Sequence, residues 1–502
     1  LRAPLAVRWR RFSQESFMAK ANCGVFSHVV DVGSPQLVGK SSFDAVSQTY
    51  TLTGGGKNLW AERDEFHFAA LPWHGDGIFT VEANFEGKGV DPHRKWGIML
   101  RDGMAAEAAY ADACVHGDGL TSLQYRTDAG KETLQVAAAM TFPEVVQLER
   151  SGNEFIMRAA KRGEKLEETG RVVLSFPQDL QMGLFICSHE PTVLETAVFR
   201  NFRADVAAAP EVDGEKVLSP SRLEVMEVAT GHRRVVYYSK QHFEAPNWSR
   251  DGNYLLVNQG GHLYRFNLAT SAYTLLDTGD VVANNNDHGI SFDGKLLALS
   301  STTVQAGRKT SSQIYVVPID GGQPSKVTDD APSYWHGWSP DGKTLVYCAE
   351  RNGVYNIWGI PSAGGKEFQL TNSPGLDDGP EYSADGKWIY FNSTRTGRMK
   401  IWRMKPDGSG QEQVTKGDDN DWFAHPSADG KVLVYVTYPP TVPAAKHPTN
   451  QRVTVRELNL ATGHERVLAW LYGGQGTMNV PSWSPDGRFI AFASYTYGDP
   501  SL

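Results

Sequence analysis

WHGWSPDGKTLVY at residues 335–347 and VPSWSPDGRFIAF at residues 480–492 share a plan that decides the fold. Asp-Gly makes a tight turn, with glycine free to take positive φ, and an alternating apolar run leaves the turn as a strand. The plan recurs as APNWSRDGNYLLV (245–257), DHGISFDGKLLAL (287–299), GPEYSADGKWIYF (379–391) and AHPSADGKVLVY (424–435). The turn aspartates Asp251, Asp293, Asp341, Asp385, Asp429 and Asp486 follow one another at intervals of 42, 48, 44, 44 and 57 residues. That period is the length of one four-stranded propeller blade.

Each hairpin precedes an outer pair of strands, such as IYVVPIDGGQPSKVTD (314–329) or NIWGIPSAGGKEFQLTN (356–372). The last WSPDG hairpin has almost no chain after it to finish its blade. Ahead of the first hairpin, SRLEVMEVATGHRRVVYYS (221–239) is a spare outer pair, and its ATGH recurs in VTVRELNLATGHERVLAW (453–470). Six hairpins and six outer pairs predict six blades, with the N-terminal pair closing the ring so that no sheet edge stays open. The 57-residue interval carries TYPPTVPAAKHPTN (437–450), whose prolines make it a loop over one face. These WSPDGK-type repeats closely resemble the TolB-like propeller family, over more than half of the chain.

The first 210 residues contain short alternating strands instead, among them GIFTVEANFEG, RKWGIMLRD, AYADACVHG, LTSLQYRT and QMGLFICS. Regular turns with scarcely a helical period predict an antiparallel sandwich. The stretch GKNLWAERDEFHFAALPWHGDGIFTVEANF, followed by a GIMLRD strand, resembles the concanavalin/laminin-G-like jelly-roll domains often attached to such propellers in bacterial surface and polysaccharide-handling proteins. The expected fold is therefore all-β: an N-terminal antiparallel β-sandwich of jelly-roll type (19–206), a linker AAAPEVDGEK (207–216) and a six-bladed β-propeller (217–502). Residues 1–18, with four arginines and no unbroken apolar core, read as a leader or cloning remnant.

One hairpin of the sandwich gives residue-level expectations. AYADACVH and LTSLQYR flank Gly117-Asp118-Gly119, a three-residue connection that wants glycine in the left-handed region. His116 then pairs with Leu120, Asp112 with Gln124 and Tyr110 with Arg126. One face carries Tyr110, Asp112, His116, Gln124 and Arg126, joined by Arg101 from the preceding strand if Trp96, Ile98 and Leu100 point inward. The opposite face, Ala111, Ala113, Val115, Thr121, Leu123 and Tyr125, is core. The polar face is a candidate saccharide groove, with an ordinary wetted face as the competing reading. Trp60, Trp73 and His74 either stack on a sugar ring or belong to the core.

Aligning the propeller units on the turn serine puts Pro246, His288, His336, Pro380, Ala424 and Pro481 at the entry to the innermost strands, with His425 one position later. His288, His336 and His425 could converge on the central channel and hold a divalent ion (Ca, Mn or Zn), or move a proton near neutral pH. Asp378 and Glu381 join them as catalytic candidates, and Trp335 and Trp422 as substrate-binding ones. Glu244, Asp287, Asp421 and Asn479 lie in nearby loops. The placement is similar to that of the metal-binding histidines of oligogalacturonate-lyase-type propellers. The competing reading is that each histidine caps a strand.

Other chemistry is absent from the sequence. There is no GxSxG nucleophile elbow, P-loop, HExxH or EF-hand pattern. A net charge of −8 without a long basic run argues against nucleic acid, and no run of about 18 apolar residues spans a membrane. Cys23, Cys114, Cys187 and Cys348 are too sparse for a disulfide framework. Two functions of different classes remain. The favoured expectation is a carbohydrate-active protein that binds glycan on the jelly roll and cleaves it, as lyase or hydrolase, at the channel mouth. The alternative is a non-catalytic scaffold whose propeller face engages a protein partner, as the TolB resemblance implies. That resemblance also implies a periplasmic or secreted location.

Overall fold

A computed structural model of the chain describes residues 23–208, 219–305 and 308–502, apart from the side chains of 303–310. The expected leader at 1–18 and most of the expected linker lie outside the described residues. The chain divides into two compact units that part between Ala207 and Ala208. Every regular element among the described residues is a strand.

The N-terminal unit consists mainly of two seven-stranded antiparallel sheets. At the centre of the first, Asp179–Cys187, Lys95–Arg101, Tyr110–His116 and Thr121–Arg126 run side by side. At the centre of the second are Val145–Ser151, Gly77–Glu86 and Glu195–Asp205. One core joins the sheets: Trp96, Ile98, Leu100, Ala111, Ala113 and Leu123 from the first meet Phe79, Val81, Leu148, Met157 and Phe199 from the second. The alternation read from the sequence sets this packing, because successive side chains of a strand point to opposite faces. Asp112 pairs with Gln124 and Tyr110 with Arg126 as expected, and Gly119 takes φ 91° to close the hairpin. Trp73 belongs to the core, and all four cysteines are buried free thiols.

The second unit is the six-bladed propeller. Five blades are four-stranded sheets whose members follow in chain order, beginning with Glu244–Trp248, Asn284–Ile290, Ser333–Trp338, Asp377–Tyr382 and Asn420–Pro426 at the channel. The sixth is composite. Phe489–Tyr495 pairs on one side with Ser221–Glu227, from Ser221↔Tyr495 to Glu227↔Phe489, and Ser221–Glu227 pairs in turn with His232–Ser239. A bridge between Trp483 and Ile490 supplies the innermost position. The spare N-terminal pair thus closes the ring.

The repeated turn has a definite chemistry. In each unit the serine hydroxyl donates to the aspartate two residues on, at 2.5–2.7 Å, as from Ser339 to Asp341. The same hydroxyl accepts the backbone N–H five residues ahead, as from Thr344, while the aspartate accepts the N–H two beyond itself, as from Lys343. Glycine after the aspartate sits at φ 67–76° in all six turns. Ser-x-Asp-Gly is therefore a self-contained hydrogen-bonded turn.

Candidate functional site

The innermost strands share an irregularity that shapes the channel mouth. Their pairing slips between Glu244 and Asn247, Asn284 and His288, Trp335 and Gly337, Asp378 and Glu381, and Trp422 and His425. Bulges of this kind re-aim side chains out of the ladder. They do not fall at the same place in every blade. His336 sits inside its slip, whereas His288 is already back in register, opposite Leu299. Counting from the turn serine thus aligns residues that the bulges send in different directions.

His336, Asp378 and Asp287 form the centre of the cluster. His336 Nε2 lies 3.2 Å from Asp378 Oδ1, which also accepts the Gly379 N–H at 2.7 Å. Asp378 Oδ2 is 4.0 Å from Nε2 of His447. His447 belongs to the proline-rich insertion of the fifth blade, and its ring meets Trp422 edge-on at 4.4 Å. Phe423 stacks on His336 at 5.8 Å. The prolines mark this insertion as a loop over one face, and its single histidine is the sequence signal for this part of the site.

Burial sets the electrostatics. It pushes the Asp287 carboxyl up to about 7; His336 opposes this, while Asp378 and Glu244 add to it. Burial also works against ionised Asp378, yet the hydrogen bond and charge of His336, with His447, hold that carboxyl at about 2. For His336, desolvation is outweighed by Asp287 and Asp378, so the imidazolium is favoured beyond its ordinary range. His447 is pulled down by burial. Glu244 and Glu381 complete the acidic surroundings, paired with His242 at 2.8 Å and His425 at 2.6 Å.

The structure does not bring the three expected histidine ligands together. His425 uses Nδ1 on Glu381 and Nε2 on the Met478 carbonyl at 2.9 Å, so both ring nitrogens are engaged. His288 is fully buried, and burial pulls its imidazole down to about 4. With His425 engaged at both nitrogens and the three imidazoles not gathered within 4.8 Å among the described residues, a three-histidine metal centre does not fit. Trp335 and Trp422 are completely buried and do not face a substrate. The Trp335 ring packs on Gly289, where a Cβ would strike it.

The saccharide groove is corrected as well. Arg101, Tyr110, Asp112, His116, Gln124 and Arg126 share a face as expected, but all are buried. The short pair Leu59–Trp60 and Arg63–Asp64 lies over them. Arg126 holds Asp64 through two contacts of 2.7 Å, and Arg101 adds a third at 2.6 Å. Tyr110 bonds Thr133 at 3.0 Å. Burial, opposed by Lys95, drives the Asp112 carboxyl well above its ordinary value; it pulls His116, with help from Lys95, down to about 3. The face is a closed polar core in which Arg101 and Arg126 ion-pair with Asp64.

Comparison with known proteins agrees with the propeller. The family described as TolB beta propeller domain matches residues 330–502. An uncharacterised protein of Agrobacterium fabrum is 47% identical over 276 residues, covering 55% of this chain and 92% of the relative. A solved structure assigned as a candidate TolB from Agrobacterium tumefaciens is 46% identical with a TM-score of 0.53, covering 56% of this chain and 99% of that one. TolB from Acinetobacter baumannii is 15% identical with a TM-score of 0.40, covering 66% and 80%. These relatives overturn the expectation of carbohydrate cleavage, since the extensive matches lead to TolB-type propellers and the expected sugar-binding face is closed.

Proposed function

This chain belongs to the TolB β-propeller family, and from that premise we propose that its propeller is a non-catalytic platform for a protein partner. The observation that carries the reading is the acidic excess at the channel mouth. Glu244, Asp287, Asp378 and Glu381 are gathered there, and Asp287 is so poorly solvated among them that its proton leaves only near pH 7. A desolvated carboxyl beside other carboxyls gains most from an incoming cation. The partner is therefore a protein that presents an extended basic segment to the mouth, where the partly exposed Glu244 and Glu381 and the charge of buried Asp287 attract its Lys or Arg.

Family kinship supports a periplasmic or secreted location, and no helix among the described residues is long and apolar enough to cross a membrane. The two sheets and common core of the N-terminal unit support its reading as a concanavalin/laminin-G-like jelly roll.

A library of Lys- and Arg-bearing extended peptides, offered to the full chain, tests the platform. Binders should weaken with added salt and with Glu244→Gln or Asp287→Asn. Because a bound cation drives the proton off Asp287, affinity should climb as pH rises toward 7 and then level. A library without binders, or binders indifferent to both substitutions, would sink the reading.

A further inference from the structure

In the N-terminal unit a second group of side chains is gathered. One potential ligand atom from each of His93, His116 and Asp118 lies within 4.8 Å of the others. The two stretches that carry them are tied by backbone bonds. Gly117 N–H donates to the Arg94 carbonyl and Asp118 N–H to that of Pro92, both at 2.8 Å. The hairpin itself is closed by His116 N–H on the Leu120 carbonyl, also at 2.8 Å. The backbone positions of all three side chains are thus fixed without any ion.

His116 is the informative member. It is only 5% exposed, and its Nδ1 has no hydrogen-bond partner. A buried ring nitrogen left unpaired is costly unless something binds it. Nε2 faces the Gln124 amide at 3.2 Å, which leaves Nδ1 as the nitrogen available to the group. His93 Nδ1 stands 3.9 Å from Asp118 Oδ2. The His189 ring is 5.4 Å from that of His93. Its Nδ1 is 3.2 Å from Asp91, the arrangement in which a carboxylate orients an imidazole and leaves its other nitrogen outward.

We propose that His93, His116 and Asp118 bind a divalent transition-metal ion of the zinc type, with His189 as the neighbour that can supply a fourth ligand. Two imidazoles and one carboxylate suit zinc, cobalt or nickel; calcium and magnesium prefer all-oxygen sets. When Nδ1 ligates, Nε2 carries the proton and donates it to the amide oxygen of Gln124 after a 180° turn of the terminal amide, which gives up the 3.5 Å contact from Lys95 and requires the exposed Gln135 amide, now 3.4 Å away as acceptor, to turn with it. Lys95 keeps its bonds to Asn58 at 2.7 Å and the Leu59 carbonyl at 3.1 Å through that turn. The ion would clasp the 91–94 loop to the 117–119 hairpin.

The test uses the full chain, prepared without a histidine tag and stripped with chelator. Titration with Co²⁺ should give one saturable equivalent, with the visible absorption of a low-coordinate cobalt site, and Zn²⁺ should displace it. His93→Ala and Asp118→Asn change partly exposed side chains and should each weaken binding by at least ~10-fold while leaving the metal-free melting temperature unchanged. His116→Ala empties a buried position, so its folding is checked first by circular dichroism. His336→Gln at the channel should leave the titration untouched. No saturable Co²⁺ binding, or binding that survives both His93→Ala and Asp118→Asn, or binding lost only in His336→Gln, would overturn the proposal. The peptide assay of the channel mouth is independent of all these outcomes.

Discussion

At the scale of single residues, the turn serine and the channel aspartate respond to opposite physics. Ser339 both donates and accepts within its turn, so Ser339→Ala should cost roughly 1–2 kcal/mol in urea unfolding. Asp385 and Asp429 are held at about 2 by side-chain hydrogen bonds, Lys387 and Ser383 for the first, Ser427 and Lys431 for the second. Their folded values lie below the unfolded ones, so the stability they lend is complete above pH ~4 and lost as pH falls toward 2. Asp287 has the reverse sign. Its folded value of about 7 exceeds the unfolded one, so it makes the fold less stable as pH rises from ~4 to 7. Asp287→Asn should therefore raise the unfolding midpoint at pH 8 and leave it nearly unchanged at pH 4, as guanidinium melts at the two pH values would show. The turns were legible because their chemistry is complete within six residues. The cluster around His336 was only half legible, because one bulge offset between blades separates it from His288 and His447 arrives from an insertion.

At the scale of elements, the pair Leu59–Trp60 and Arg63–Asp64 decides what the first sheet's outer face can be. Sequence alternation identified the two faces and their register correctly, down to Asp112 opposite Gln124. It could not show that the polar face is roofed, since arginines turned toward water and arginines turned toward a buried carboxylate look the same in sequence. Arg101 and Arg126 are both fully buried on Asp64, so removing that one carboxylate strands two cations. Asp64→Ala should destabilise the protein by roughly 3–5 kcal/mol, read as a fall in the urea midpoint of the N-terminal transition. A loss under 1 kcal/mol would mean that the pair Leu59–Trp60 and Arg63–Asp64 leaves the face and water reaches the arginines.

At the scale of the whole molecule, ring closure was legible because the period, the spare outer pair and the shared ATGH all required it. A chain lacking everything before residue 240 would leave Phe489–Tyr495 without the Ser221–Glu227 strand that pairs with it. Such a chain should aggregate on size-exclusion chromatography; a stable monomer would count against the closure. The same seam imposes a clock on biosynthesis. Ser221–Glu227 leaves the ribosome about 260 residues before Phe489–Tyr495, and at roughly 5–20 residues per second that is a wait of about 13–50 s. Through that interval Ser221–Glu227 has no inner neighbour, and the nascent chain carries an unsatisfied edge until Phe489–Tyr495 is made and covers it.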